Sequence, residues 1–399
     1  MRRFVIVGAG LAGHRAAIEL RRHLPDAPID LVGDEDALPY DRPPLSKDVL
    51  LGKVSSTTLK DADRYAELHI TFHRRATATA IEPARRAVTL SNGSQLEYDA
   101  LLLATGSRPR RLPEAVAGGV EVAYVRTAED ANRLRARLRA GAALLVIGGG
   151  FIGLEVAAAA AELGCTVTVI EAGDRLLARG LPAMVADHLH RLHEASGVRI
   201  LTGVRLERLR RGEPMVEADT SAGTLSADVV VAGIGALPNV ELAAAAGLHV
   251  ADGIVVDGLC RTSDPHIFAA GEVTAHPVGL AQGHRRLESW KVAQAQPVVA
   301  AAAMAGVACE DYDELPWLWS DQHGCNLQMI GAPDRAVRFH VRGDPAGDGW
   351  TLVGLDAADR PVSGVAVNAG RDISVLRRAI TRGTPLPDGF LSAEAAPVS

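Results

Sequence analysis

Two copies of one glycine pattern constrain this chain more than any other feature of its sequence. Both copies have the form Gly-x-Gly-x-x-Gly and they are offset by 140 residues: Gly8, Gly10 and Gly13, then Gly148, Gly150 and Gly153. Each lies between an apolar segment typical of a buried strand and a segment typical of a helix. The first glycine of such a pattern permits a tight turn, the second lets a pyrophosphate approach, and the third allows close helix–strand packing. The repeat therefore predicts two dinucleotide-binding units.

The first unit is predicted to be a strand at 3–7, a glycine turn and a helix at 11–23. The N-terminus of that helix directs partial positive charge at the phosphates. The next strand ends at Asp34, 21 residues after Gly13, where a carboxylate can accept hydrogen bonds from ribose hydroxyls. An ordinary glycine turn followed by an aspartate is the alternative, and the full context favours the nucleotide site.

The second unit repeats this arrangement, with a predicted strand at 144–147 and a helix at 151–163. The strand that follows ends at Glu171, 18 residues beyond Gly153. An acidic side chain there accepts hydrogen bonds from a free 2′-hydroxyl and repels a 2′-phosphate, so NADH is expected to be preferred over NADPH. Arg175 lies close in sequence and weakens this preference slightly.

Composition and charge exclude several classes of function. The chain has 399 residues, enough for two or three domains, and its net charge of -6 argues against nucleic acid as the main partner. No apolar run reaches the roughly 18 residues that a membrane span needs. The first seven residues resemble a signal peptide, but Gly8, Gly10, His14 and Arg15 interrupt that pattern, so we expect a cytoplasmic protein.

A proline-rich segment after the second strand carries a more specific resemblance. Residues 38–47, Leu-Pro-Tyr-Asp-Arg-Pro-Pro-Leu-Ser-Lys, could form a rigid surface loop, because proline restricts the backbone. The segment also resembles the signature of FAD-dependent NADH:ferredoxin reductases, which serve ring-hydroxylating dioxygenases and bacterial cytochromes P450. That resemblance implies that Asp34 holds the adenosine ribose of FAD, that Arg42 supports its phosphates and that Lys47 reaches the flavin ring. A lysine at flavin N5 would stabilise charge as hydride arrives.

The resemblance extends to further FAD contacts. It matches five positions to the FAD site: Ala12, Ala78, Thr105, Gly106 and Arg126. A later segment ends in Gly271 and Glu272, where the family normally has Gly-Asp, with the aspartate on the ribityl chain. Because Glu272 is one methylene longer, we expect its contact to survive through a shifted backbone or a water.

Three residues are the predicted catalytic group, namely Lys47, Glu155 and Trp290. Glu155 could simply interact with the dipole of its helix, and in the family the matching glutamate lies by the nicotinamide and pairs with the flavin-site lysine. Gly235 matches a segment that lines the nicotinamide, although a strand-to-loop turn also explains a glycine there. Trp290 opens a helix, where tryptophan usually serves packing; in the dioxygenase reductases the matching tryptophan lies beside the flavin, towards the ferredoxin.

The fold implied by the resemblance is α/β, with two Rossmann-like dinucleotide-binding domains of the glutathione-reductase type and a C-terminal α+β domain. The predicted boundaries are 1–107 and 238–310 for the FAD-binding domain, 108–237 for the NAD-binding domain and 311–399 for the C-terminal domain. The chain after Pro385 is predicted to be disordered. The four cysteines contain no Cys-x-x-Cys and none precedes Cys165, which disfavours disulfide-reductase chemistry and indicates free thiols.

The function implied is an FAD-containing NADH:ferredoxin oxidoreductase. Electrons would pass from NADH through FAD to a 2Fe–2S ferredoxin, Rieske-type or adrenodoxin-like, which supplies a dioxygenase or cytochrome P450. Two other functions stay open at this point: a redox-responsive binding protein, as apoptosis-inducing factor is, and an oxidase or quinone reductase using the same two sites. Monomer and homodimer are both allowed.

Overall fold

The computed structural model describes residues 2–281, 283–347 and 349–392. The chain forms two compact units, each assembled from three stretches of sequence. The first unit comprises Met1–Asp41, Thr57–Arg108 and Leu237–Pro316, and the second comprises Arg42–Ser56, Pro109–Ala236 and Trp317–Ser399. None of the helices in the described ranges is long and apolar enough to cross a membrane.

A five-stranded parallel sheet forms the centre of the first unit. With strands numbered along the chain, its members are β1 (Phe4–Val7), β2 (Ile29–Val32), β3 (Ile70–His73), β7 (Ala100–Leu103) and β20 (Ile267–Ala269). Their order across the sheet is β20-β7-β1-β2-β3, and all neighbours are parallel. The central strands are buried on both faces, which explains their uninterrupted apolar sequences.

The other elements of the first unit are smaller sheets and three helices. The remaining strands are β4 (Ala78–Glu82), β5 (Ala87–Leu90), β6 (Gln95–Glu97), β18 (Val250–Ala251), β19 (Gly253–Val255), β21 (Thr274–Pro277) and β22 (His284–Arg285). Two further strands lie where the chain passes between units, β8 (Ser107–Pro109) and β17 (Ala236–Pro238). The helices are α1 (Leu11–His23), α6 (Glu241–Ala245) and α7 (Trp290–Ala305). Helices α1 and α7 share one buried core with the sheet, where alanines such as Ala16 and Ala300 are fully buried.

The second unit repeats the parallel sheet. Its strands are β9 (Val122–Ala123), β10 (Ala143–Ile147), β11 (Thr166–Glu171), β12 (Arg199–Thr202) and β16 (Val229–Ala232), in the order β12-β11-β10-β16-β9. An antiparallel sheet accompanies it, formed by β13 (Leu206–Arg210), β14 (Val216–Thr220) and β15 (Gly223–Ala227). The helices before the C-terminal part are α2 (Glu114–Ala117), α3 (Ala128–Arg135), α4 (Phe151–Glu162) and α5 (Ala183–Ala195).

The C-terminal part of the second unit is an antiparallel sheet covered by one helix. Its strands are β23 (Trp317–Gln322), β24 (Cys325–Gly331), β25 (Arg338–Gly343), β26 (Trp350–Leu355) and β27 (Pro361–Val367), in the order β23-β24-β27-β26-β25. Helix α8 (Gly370–Arg382) packs on this sheet, and a Cβ added at Gly364 would lie 2.4 Å from the Leu376 side chain. The predicted fold class, with two dinucleotide-binding folds and a C-terminal α+β part, is therefore confirmed.

The prediction of disorder after Pro385 is wrong for residues 386–392. The Arg342 guanidinium donates to the Phe390 carbonyl over 2.5 Å and lies 4.5 Å from the centroid of the Phe390 ring. The Leu391 carbonyl lies 2.9 Å from Nε2 of His340. These contacts, which the sequence of the tail does not reveal, tie it to β25. Residues 393–399 lie outside the described ranges, so the prediction is not tested there.

Truncating Leu376 should destabilise the C-terminal part of the chain. The side chain is fully buried against β27, so Leu376→Ala removes apolar burial and leaves a cavity, lowering the free energy of unfolding by about 3 kcal/mol. Native-state hydrogen exchange of the β24 and β27 amides would measure this change. Arg378→Ala, at an exposed position of the same helix, is the matched control and should leave exchange unchanged. Equal effects of both variants would contradict the packing described here.

Candidate functional site

The glycine turn of the first unit has space for a phosphate only above its middle glycine. Gly8 has φ +109, and a Cβ there would lie 2.2 Å from the Ala104 carbonyl oxygen. A Cβ on Gly13 would lie 1.8 Å from the Gly8 oxygen, so backbone contacts backbone at both positions. A Cβ on Gly10 would meet nothing within 4 Å. Gly10 also caps α1 without any side-chain hydrogen bond, which leaves the first helical amides directed at this space.

Asp34 is placed beside this turn by the preceding glycine. It is separated from the end of β2 by Gly33 alone, and its side chain is exposed. A Cβ on Gly33 would lie 2.6 Å from the Ala9 side chain, so the end of β2 packs tightly on the turn. The strand-end carboxylate thus lies at the carboxyl edge of the parallel sheet, where dinucleotides bind in open α/β sheets.

Thr105 and Gly106 lie at the same carboxyl edge, separated from the end of β7 by Ala104. Thr105 Oγ1 donates to the Asn239 carbonyl and Asn239 Nδ2 donates to the Thr105 carbonyl, each over 2.8 Å. The Asn239 amide donates to the Gly106 carbonyl over 3.0 Å, and Gly106 has φ +63. Sequence reasoning did not identify Asn239 as the partner that fixes this turn, because the two segments are far apart in the chain.

Gly271 is held by a buried glutamine that the sequence analysis missed. The Gly271 amide donates to Gln296 Oε1 over 2.7 Å, and a Cβ on Gly271 would lie 2.9 Å from that of Ala12. Gln296 is fully buried, and its Nε2 has no hydrogen-bond partner among the described residues. The sequence could have indicated this role, because Gln296 is a polar residue on the apolar, alanine-rich face of α7. Glu272 is half-buried and follows Gly271 directly. The hydrogen bond between Gly271 and Gln296 therefore fixes the backbone next to Glu272.

Trp290 is held in place by the signature segment. Its Nε1 donates to Asp41 Oδ1 over 2.9 Å, and Ser289 caps the helix by accepting from the Lys291 amide. The Asp41 amide in turn donates to the Thr57 carbonyl over 2.8 Å. Asp41 lies within the signature segment, where no local pattern assigned it a role, and the structure identifies it as the residue that orients the indole.

The second glycine turn has the same construction as the first. Gly148 has φ +104, and a Cβ there would lie 2.5 Å from the Gly233 oxygen. A Cβ on Gly153 would lie 2.2 Å from the Gly148 oxygen. Gly150 caps α4 without a side-chain hydrogen bond. A Cβ on Gly150 would lie 3.7 Å from the Gly233 oxygen, an ordinary contact distance, so this turn also directs unsatisfied helical amides past its middle glycine.

Glu171 is bound to this turn through the backbone. Its Oε2 accepts from the Gly149 amide and its Oε1 accepts from the Gly173 amide, both over 2.7 Å. Each carboxylate oxygen can accept a second hydrogen bond, so ribose hydroxyls can still be bound here. Arg175 instead donates to the carbonyls of Leu181 and Ala178, over 3.0 and 2.9 Å. Its guanidinium is thus engaged by its own loop.

Two of the predicted cationic residues meet in the second unit. Arg42 Nη1 donates to the Arg126 carbonyl over 2.5 Å. Arg126 directly precedes α3, whose N-cap Thr127 forms a capping box with Asp130. The capping box fixes the backbone next to Arg126. The hydrogen bond from Arg42 therefore joins two arginines that were predicted separately from the sequence.

Lys47 and Glu155 form a buried ion pair within the second unit. Lys47 Nζ lies 2.7 Å from Glu155 Oε2, and the carboxylate is only 4% exposed. Ser46 Oγ donates to Oε2 and Ser320 Oγ donates to Oε1, each over 2.5 Å. A buried carboxylate is stable when a cation and further donors satisfy it, and here three donors do so.

Three other predicted residues have simpler surroundings. Gly235 has φ +107, which requires glycine, and a Cβ there would lie 3.5 Å from Arg179 Nη2. Ala78 is the first residue of β4 and packs against the buried core that includes Val32. Ala12 is buried in α1.

The cysteines are free thiols. Burial raises the pKa of the Cys325 thiol to about 11, and burial likewise raises the pKa of Cys260. Both therefore stay protonated at neutral pH and are poor nucleophiles. Among the described residues, no group of three or more His, Cys, Asp or Glu side chains could hold a metal ion.

Comparison with known proteins identifies the family of this chain. The family model described as pyridine nucleotide-disulphide oxidoreductase matches residues 2–297, and a model described as reductase C-terminal matches residues 317–398. The chain belongs to the pyridine nucleotide-disulphide oxidoreductase family. The first of these matches includes both glycine turns, and the second begins at β23.

Several relatives of this oxidoreductase are similar over nearly their whole length. It is 50% identical to the anthranilate 1,2-dioxygenase system ferredoxin–NAD(+) reductase component of Burkholderia cepacia, covering 96% of this chain and 95% of that protein. It is 39% identical to putidaredoxin reductase of Pseudomonas putida, covering 99% and 95%. The crystal structure of a covalent putidaredoxin reductase–putidaredoxin complex superposes with a TM-score of 0.94 at 38% identity, covering 99% of this chain and 97% of that one.

The different surroundings of Gly13 and Gly10 give a test of the first turn. Gly13→Ala should lower the free energy of unfolding by about 3 kcal/mol or more, because its Cβ would overlap the Gly8 backbone. Gly10→Ala adds the same methyl group into open space and should leave thermal denaturation of the cofactor-free protein unchanged. If Gly10→Ala destabilised that protein as much as Gly13→Ala, the described geometry of the turn would be incorrect.

Proposed function

We propose that this oxidoreductase is an NADH-dependent ferredoxin reductase that contains FAD and passes electrons to a 2Fe–2S ferredoxin. The ferredoxin would supply a ring-hydroxylating dioxygenase or a cytochrome P450. The observation that carries the proposal is the pair of complete glycine turns together with a buried Lys47–Glu155 ion pair, in a chain whose relatives are ferredoxin–NAD(+) reductases.

FAD is assigned to the turn of the first unit. The space above Gly10 accepts a pyrophosphate, and Asp34 offers an exposed carboxylate to the adenosine ribose. Gly271, which Gln296 fixes, presents Glu272 for the ribityl chain. Bound FAD supplies the redox chemistry, accepting two electrons as hydride from NADH and releasing them one at a time to a one-electron carrier.

NADH is assigned to the turn of the second unit. Glu171 is oriented by two backbone amides and keeps acceptor capacity for the ribose hydroxyls. A 2′-phosphate would meet this carboxylate and be repelled, while the Arg175 guanidinium is held by its own loop. The selectivity for NADH over NADPH therefore rests on one residue whose position is fixed.

Lys47 and Glu155 are assigned to the catalytic group. The contact with Glu155 uses one of the three ammonium hydrogens of Lys47 and fixes the direction of the other two. A fixed cation stabilises developing negative charge without the reorganisation that a mobile one would need. Trp290, oriented by Asp41, is assigned to the side from which electrons leave. We also propose a cytoplasmic location, where free thiols such as Cys165 persist in a reducing environment.

The proposal predicts that ferredoxin stimulates electron transfer. Purified FAD-loaded protein should reduce cytochrome c with NADH slowly alone and much faster when a 2Fe–2S ferredoxin is added, because ferredoxin is the natural one-electron acceptor. Ferricyanide reduction is the control for flavin turnover without a protein partner. If NADH reduced the flavin while ferredoxin changed nothing, the ferredoxin reductase assignment would be wrong and an oxidase or a redox-responsive binding protein would replace it.

The role of Glu171 predicts a change in coenzyme selectivity. Glu171→Gln keeps the side-chain shape but removes the charge, so the ratio of kcat/KM for NADH to that for NADPH should fall about tenfold or more. Steady-state ferricyanide reduction with each coenzyme measures the ratio. Glu162→Gln, at an exposed glutamate that pairs with Lys53, is the matched control. An unchanged ratio in Glu171→Gln would remove the assigned role from this carboxylate.

A further inference from the structure

A chain of hydrogen bonds leads from Glu155 into the interior of the second unit. Ser320, which donates to Glu155 Oε1, accepts from Gln322 Nε2 over 2.8 Å. Gln322 Oε1 lies 2.7 Å from His193 Nε2. His193 Nδ1 lies 3.1 Å from Nε2 of His323. We call Ser320, Gln322 and His193 the relay; it joins β23 to α5.

The donors of the relay all point towards Glu155. An ionised carboxylate only accepts, so the Ser320 hydroxyl donates to it and the Ser320 oxygen is left to accept from the Gln322 amide. The Gln322 carbonyl then faces His193, which must carry its proton on Nε2. His193 Nδ1 in turn accepts from His323. The direction of every hydrogen bond is therefore fixed by the charge at one end.

Burial makes each of these hydrogen bonds costly to lose. The side chains of Glu155, Ser320, Gln322 and His193 are all buried, and His193 is completely so. Burial lowers the pKa of His193 to about 4, the hydrogen bond with Gln322 opposes this shift, and the neighbouring His323 and His190 add to it. His193 is therefore neutral at pH 7, as the directions of its two hydrogen bonds require. Because each member is buried and hydrogen-bonded to the next, the loss of one partner removes a hydrogen bond from its neighbour.

We propose that Ser320, Gln322 and His193 are positioning residues for the reduction of the flavin by NADH. They hold the Glu155 carboxylate in one orientation, and Glu155 in turn fixes the Lys47 ammonium. This inference rests on the proposed function, since the relay affects flavin reduction only through the catalytic role proposed for the Lys47–Glu155 pair. A purely structural role, in which the same bonds only tie α5 to β23, makes different predictions.

A double-mutant cycle separates the two roles. In the FAD-loaded protein, Ser320→Ala should lower the stopped-flow rate of flavin reduction by NADH about tenfold, because a buried carboxylate oxygen loses its donor. Ser320→Thr keeps the hydroxyl and should recover the rate to within about twofold. In the Glu155→Gln background, Ser320→Ala should change the rate by less than about twofold, because the relay acts through that carboxylate. Effects of Ser320→Ala that are equal in both backgrounds would overturn the proposal.

Two histidines of α5 provide a matched pair for the far end of the relay. His193→Gln should lower the rate of flavin reduction, as Ser320→Ala does. His190→Gln, one turn away on the same helix, alters a side chain whose Nε2 lies 3.4 Å from Glu194 and should leave the rate unchanged. Circular dichroism and thermal denaturation check that each variant folds. A folded His193→Gln variant with the wild-type rate would contradict the relay.

The tautomer of His193 gives a readout that does not depend on turnover. Nitrogen-15 histidine NMR of the FAD-loaded protein without NADH should show His193, assigned by its loss in His193→Gln, as neutral and protonated on Nε2 at neutral pH. An Nδ1-protonated or doubly protonated ring would overturn the proposal. The relay is tested without ferredoxin, so a failed double-mutant cycle would leave the proposed function intact. Absence of ferredoxin stimulation would remove the proposed function while the cycle still reported on Glu155.

Discussion

The rest of this structure depends on the close approach of backbone to backbone at two glycine turns. At Gly13 and Gly153 the helix lies so near the preceding turn that a single methyl group would overlap a carbonyl oxygen. That approach brings the N-terminus of each helix to the carboxyl edge of its parallel sheet. The acidic residue at the end of the next strand, Asp34 or Glu171, then lies beside the turn as a consequence of sheet geometry. The same close approach of backbone to backbone therefore determines both the fold and the position of the nucleotide site.

The two glutamates of the second unit show how surroundings give one residue type two roles. Glu171 is held by backbone amides at the end of β11 and keeps acceptor capacity. Glu155 is buried on α4, where Lys47 and two serine hydroxyls already satisfy its oxygens. The first can therefore bind a ligand directly, whereas the second can act only by holding a cation. A buried carboxylate that lost one of these donors would carry an unsatisfied charge. Ser320 is itself held by Gln322, and Gln322 by His193, so the donor to Glu155 is fixed in place.

The sequence predicted those parts of the site that local patterns encode. Hydrophobic periodicity and glycine spacing predicted the bounds of α1 and the end of β11 at Glu171, and the structure has both at those residues. Helix α4 ends at Glu162, one residue before its predicted end, and β2 ends at Val32, two residues before Asp34. Asn239, Gln296 and the relay were missed, because, apart from the Gln322–Ser320 bond within β23, their partners are 22 to 165 residues away and nothing in a local pattern pairs them. The tail near Phe390 was mistaken for the same reason, since composition does not reveal the contact with Arg342.

The two cations of the signature segment, Arg42 and Lys47, belong to a different compact unit from the chain on either side of Arg42–Ser56. Residues Arg42–Ser56 group with the second unit, whereas the chain on either side of them belongs to the first. Lys47 therefore meets Glu155 inside one compact unit, to which the serines and the relay also belong. A buried charge pair needs all its donors in fixed places, and here all of them are supplied within a single unit. The prolines that restrict this segment serve the same end, since they reduce the entropy lost when Lys47 is fixed.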